Sequence, residues 1–81
     1  DMDNLGELIR HHRKRARISR RKLALLAGTG QTVIYELEHG KQTVRLDTLL
    51  KVMGALNMTM HVSGPFVNEF NTLNPKDDSD E

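Results

Sequence analysis

The stretch LALLAGTGQTVIYELEHG, residues 23–40, reads as two short helices joined by a tight glycine turn. Two helices that cross steeply need a small residue where they touch, and Ala24 supplies it. Gly28, four positions on, suits the left-handed backbone that ends the first helix. Ile34 and Leu37 then fall on one face and can anchor the second helix in a core. All these spacings fit a helix-turn-helix at once, which makes the signal far stronger than a lone glycine motif.

Immediately before this unit the charge is one-sided. Between Arg10 and Lys22 the chain carries eight basic residues (Arg10, Arg13, Lys14, Arg15, Arg17, Arg20, Arg21, Lys22) and no acid. Residues 1–64 hold eleven Lys or Arg against six Asp or Glu, a net +5, whereas residues 65–81 hold one Lys against five acids, a net −4. The overall charge of +1 therefore conceals a basic body and an acidic tail. Surface arginines on small domains are often merely solvated. Beside a helix-turn-helix, a polyanion-binding surface becomes the stronger reading, and DNA the first candidate ligand.

Working outward, Asn4 and Glu7 have capping-box spacing, and Leu5, Leu8, Ile9, His12 and Ala16 follow a helical period, predicting a helix over 5–16. Ser19 is a good N-cap for a helix over 20–27, with Leu23, Ala24 and Ala27 on one face. A third helix is expected over 31–38, closed by Gly40. Leu46, Leu49, Leu50, Met53 and Leu56 predict an amphipathic helix over 46–56. Leu25 and Leu26 exceed what the inner face of the second helix requires. They are either core filler or part of a partner surface.

The period then changes. Apolar and polar residues alternate from Met58 to Ser63, which predicts a strand carrying Met58, Met60 and Val62 on one side. A lone strand has no partner within its chain, and pairing with the same strand of a second copy is the economical solution. The alternative is a frayed, extended tail. Phe66, Val67, Phe70 and Leu73 have the spacing of a short amphipathic helix, which either docks on a partner or packs on its own domain. Residues 74–81 have the composition of a disordered acidic end.

Several chemistries are set aside. The chain has no cysteine, so no disulfide or thiol nucleophile is expected, which suits a reducing cytoplasm. His11, His12, His39 and His61 lack metal-ligand spacing. Ser19, Ser63 and Ser79 have no His and acid arranged around them. Met53, Met58 and Met60 suit a core or a dimer seam better than a copper site. No stretch approaches the roughly 20 apolar residues of a membrane span, and no signal-peptide pattern is read. Neither an enzyme nor a cofactor or metal is expected.

The strings LGELIRHHRKRARIS, KLALLAG and VIYELEHGK followed by LDTLLKVMGALN resemble the Xre or phage-repressor helix-turn-helix family. More narrowly, TVRLDTLLKVMGALNMTMHV resembles the HipB-type antitoxins. The resemblance implies an all-α, lambda-repressor-like helix-turn-helix bundle with a C-terminal β-strand that pairs across a homodimer. Its parts would be a DNA-binding domain over 4–57, a dimerising strand over 58–63 and an acidic tail over 64–81. It implies a bacterial cytoplasmic repressor, nucleoid-associated when bound, that autoregulates a toxin–antitoxin operon and binds a HipA-type kinase toxin.

Carried over by position, Gln31 and Thr32 would face base edges, with Val33 and Glu36 as weaker candidates. Arg20, Arg21, Lys41, Gln42 and Thr43 would meet phosphates, Arg20 standing where the family usually has glutamine. Gly30 replaces the usual Ser or Thr, so the third helix is expected to lack a side-chain cap. Arg13 and Glu38 would form a structural ion pair, and Phe66, Phe70 and Leu73 would be available for partner docking. Two rivals are an Xre-family regulator without a toxin, such as a phage repressor or restriction-modification controller, and a toxin-neutralising protein-interaction module that never touches DNA.

Overall fold

The computed structural model describes residues 2–74, which form five helices. In chain order they are α1 (Met2–Arg15), α2 (Arg20–Ala27), α3 (Gln31–Glu38), α4 (Leu46–Ala55) and α5 (Val67–Leu73). Ile9, Leu23, Ile34 and Val52 are completely buried, one each from α1 to α4, so the first four helices share one core. Ala24, Ala27, Leu37, Leu49, Met53 and Leu56 complete it. α2 packs on both α3 and α4, and α1 packs on α3.

Local chemistry sets the helix ends. Ser19 caps α2, its Oγ accepting from the Lys22 amide at 3.0 Å. At the C-termini of α1 to α4 the same device recurs. An amide reaches back five residues to a carbonyl: Ile18 to Arg13 (3.3 Å), Thr29 to Ala24 (2.9 Å), Lys41 to Glu36 (3.0 Å) and Met58 to Met53 (2.9 Å). The residue just before each of those amides has left-handed φ: Arg17 (59°), Gly28 (71°), Gly40 (87°) and Asn57 (58°). These are four Schellman caps, and they satisfy carbonyls that the helix leaves open.

α1 approaches α3 closely at Gly6, which is buried. A Cβ there would collide with the Leu37 carbonyl oxygen and lie 3.2 Å from the Glu38 carbonyl. Gly6→Ala is therefore expected to push α1 off α3, costing about 1–3 kcal/mol as overpacking. A thermal melt should fall by roughly 4–8 °C per kcal/mol. An unchanged midpoint would show that the two helices do not meet this way.

Three expectations need correction. α1 begins at Met2, so Asn4 lies inside the helix and does not cap it. Residues 58–64 take no regular secondary structure, and no strand occurs among the described residues. A strand is defined by its ladder, and nothing among the described residues pairs with Met58–Ser63. Met58 is instead half-buried against the core and closes the α4 cap, while Met60 and Val62 are exposed. Leu25 and Leu26 are exposed, which removes the core-filler reading. α5 forms where the Phe66–Leu73 spacing places it, yet it has no buried residue, so packing on its own domain does not cover Phe66, Phe70 or Leu73. The expected disorder of the acidic end falls, apart from Asn74, outside the described residues.

Candidate nucleic-acid interface

α3 is the element whose outer face is open. Its N-cap, Gly30, makes no side-chain cap hydrogen bond, so the first turn of α3 is unobstructed. Gln31 and Thr32 stand exposed on that turn. Val33, beside them, is half-buried and packs against the core, which draws it away from the outer face. Ile34 and Leu37 hold the opposite side of α3 in the core.

The C-terminal end of α3 is fixed by a buried carboxylate. Arg13 Nε donates to Glu38 Oε2 at 2.6 Å and Arg13 Nη2 donates to Oε1 at 3.1 Å. Arg20 Nε also donates to Oε1, at 2.9 Å, so α1, α2 and α3 converge on one glutamate. Burial pushes the Glu38 carboxyl up, but the hydrogen bonds and charges of the two arginines outweigh it and hold its pKa below the ordinary value. Arg13 Nη1 additionally donates to the Ile18 carbonyl at 3.0 Å, which ties the α1–α2 turn into the same network.

Arg20, expected at a phosphate, thus has its Nε committed to Glu38, while its backbone amide still opens α2. Its guanidinium also lies 5.2 Å from the centre of the Tyr35 ring. His39 stacks on Tyr35 with ring centres 3.9 Å apart, and its Nδ1 donates to the Tyr35 carbonyl at 2.7 Å. The approach of Arg20 to this half-exposed column joins residues fifteen positions apart, and sequence spacing carries no sign of it.

Beyond α3, Lys41 Nζ meets Glu36 Oε1 at 3.2 Å. Both groups are partly exposed, so the pair is weak and a phosphate could displace the carboxylate. The pair offsets part of the repulsion that Glu36 would present to a phosphate. Glu36, Lys41 and Thr43 rim an open cavity of about 190 Å³ floored by Val33, Leu37 and Val44. Gln42 and Thr43 are exposed in the loop that leads to α4. Arg45 and Thr48 reach the same cavity and were not singled out by the sequence reading. Their only signal was a further basic residue close behind Lys41. Arg45 pairs with Asp47 at 3.1 Å, a hydrogen bond that raises the arginine pKa and lowers that of the aspartate.

Of the eight basic residues between Arg10 and Lys22, Arg13 and Arg20 are spent on Glu38. The side chains of Arg10, Lys14, Arg15, Arg17, Arg21 and Lys22 are exposed and have no ion pair among the described residues. An excess of positive charge thus lies along α1 and the start of α2, with Glu7 as the one acid beside Arg10, Lys14 and Arg15 among the described residues.

A helix-turn-helix family model, HTH_3, matches residues 9–62, more than half of the chain. The chain belongs to the Xre-type helix-turn-helix family. It is 32% identical over 62 residues to the uncharacterized HTH-type transcriptional regulator y4mF of Sinorhizobium fredii (strain NBRC 101917 / NGR234). That similarity covers 76% of this chain and 82% of the relative. In this Xre-type domain the matched region runs from Ile9 through the caps of α4 to Val62 and leaves α5 outside it. No helix among the described residues is long and apolar enough to cross a membrane.

Proposed function

We propose that this Xre-type protein is a DNA-binding transcriptional repressor that reads an operator through α3. The observation that carries the reading is a short helix with two exposed polar residues, Gln31 and Thr32, on its open first turn, in a domain with six exposed cations from α1 to the start of α2 that form no ion pair among the described residues. Gln31 has the donor and acceptor pair that matches adenine in the major groove, and Thr32 can bond a base edge or meet a thymine methyl. The α2 N-terminal amide, Arg21, Lys41, Gln42 and Thr43 supply phosphate contacts, which fix register without reading sequence. Glu36 contributes only if its carboxylate leaves Lys41 for a cytosine amine, and Val33 at most an apolar contact.

Gln31→Ala separates this reading from a protein-interaction module. The residue is exposed and its side chain makes no hydrogen bond or ion pair among the described residues, so the fold should not change. Affinity for the promoter of its own gene should fall by about 1–3 kcal/mol while affinity for random duplex stays constant. Equal affinity of variant and wild type for that promoter would remove Gln31 from base reading.

The finer assignment, also proposed, is antitoxin of a HipBA-like operon acting as a homodimer in the bacterial cytoplasm. A palindromic operator with half-sites about one helical turn apart requires two copies. The alternating segment 58–63, with Met60 and Val62 exposed, suits pairing with its counterpart in a second copy. A protein partner such as a HipA-type kinase toxin is favoured by α5, whose Phe66, Phe70 and Leu73 lie uncovered. Co-expression with the product of an adjoining kinase gene tests the toxin assignment. Absence of such a gene favours an Xre-family regulator without a toxin.

A further inference from the structure

Among the four Schellman caps one position is out of character. The left-handed residue is glycine at 28 and 40 and asparagine at 57, the types that tolerate it best, but it is arginine at 17. A Cβ-bearing residue pays for positive φ, and only Asn or Asp recovers part of that through its own short polar side chain. Arg17 recovers nothing locally. Its side chain is exposed and makes no hydrogen bond, ion pair or ring contact among the described residues. The cap itself would form with any residue there, since it uses only the Arg17 and Ile18 amides and the Lys14 and Arg13 carbonyls.

An unpartnered cation kept in a strained turn points to a ligand outside the chain. The turn lies between Lys14 and Arg15 on one side and Arg21 and Lys22 on the other, all four exposed and without an ion pair among the described residues, with no acid between Arg10 and Lys22. Arg17 stands three positions before Arg20, the first residue of α2, so at most about 11 Å of chain lies between it and the α2 N-terminal amides. Resting on the proposal that α3 enters the major groove, we infer that Arg17 binds a phosphate of the DNA backbone. The α1–α2 turn then forms a phosphate-binding surface outside the helix-turn-helix unit itself. Arg17 adds affinity there and no sequence choice.

The test compares wild type, Arg17→Gly and Arg17→Lys on a duplex carrying the gene's own promoter and on a random duplex of equal length, across 50–200 mM salt. Arg17→Gly relieves the backbone and deletes the charge, so its unfolding midpoint should equal or exceed that of wild type. Its log–log salt slope should be shallower by about 0.9 per bound subunit, so that over this range wild type loses about 3.5-fold more affinity per subunit than the variant, or about twelvefold for a bound homodimer. Both duplexes should weaken by the same factor, and Arg17→Lys should restore the slope. Opposite movement of stability and affinity is not what a purely structural residue would give. An unchanged slope and affinity in Arg17→Gly would overturn the inference, as would weakening confined to the promoter. If wild type binds neither duplex in a salt-dependent way, the DNA-binding reading fails and Arg17 falls with it. Promoter preference in wild type with an unaffected Arg17→Gly sinks the Arg17 contact alone.

Discussion

Glu38→Ala is expected to cost about 3–5 kcal/mol of folding stability, because it strands a buried guanidinium without its counter-charge. Arg13 and Glu38 are both buried, and Arg13 reaches the carboxylate through two hydrogen bonds. Arg20 loses its anchor at the same time. A domain this small has about 5–15 kcal/mol to lose, so the variant should be largely unfolded well below the wild-type melting temperature. Replacing Arg13 and Glu38 together by apolar residues of similar volume should recover much of the loss, since no unpaired charge then remains inside. A Glu38→Ala protein within about 1 kcal/mol of wild type in urea denaturation would show that the network carries no stability.

The same carboxylate gives a pH dependence with a definite sign. Its folded pKa is depressed, whereas in the unfolded chain it titrates near the ordinary glutamate value of about 4.3. Between those two values the unfolded chain holds the proton and the folded one does not. The Glu38 contribution is thus complete above about pH 4.3 and fades as pH falls through the folded pKa. Glu38→Gln should lack this acid step in a pH series of melts.

Ile34→Ala is the second large effect, at about 2–5 kcal/mol. Ile34 is completely buried and belongs to an eight-residue helix, too short to persist in water on its own. Side-chain burial is what holds α3 in place. The substitution should lower both the denaturation midpoint and promoter affinity, whereas Gln31→Ala should lower affinity alone. Ile34→Ala protein with wild-type stability would mean that α3 is not anchored through this residue.

Most of the bundle was readable because it depends on local pattern. The Leu46–Leu56 period, the Ser19 cap and the glycine at 28 are signals within one helix or turn, and each gives the element found there. What sequence could not supply were meetings between distant residues. Gly6 looks like a weak helix position until Leu37 is seen against it. Arg20 looks like a free cation until Glu38, eighteen residues away, takes its Nε. Glu36 looks like a liability until Lys41 is placed beside it. The alternation from Met58 to Ser63 is a pattern whose pairing depends on a partner strand, and none occurs among the described residues. For the candidate interface, Gln31 and Thr32 were implied by the family resemblance and the fold leaves both exposed, whereas the approach of Arg20 to the Tyr35–His39 stack has no local signal.

That aromatic column has an optical consequence. The chain contains no tryptophan and a single tyrosine, so nearly all its absorption around 280 nm comes from Tyr35. The one chromophore sits on the helix assigned to the groove, in contact with a guanidinium and an imidazole. Emission excited there therefore reports on that single spot, without any label and without background from the rest of the molecule.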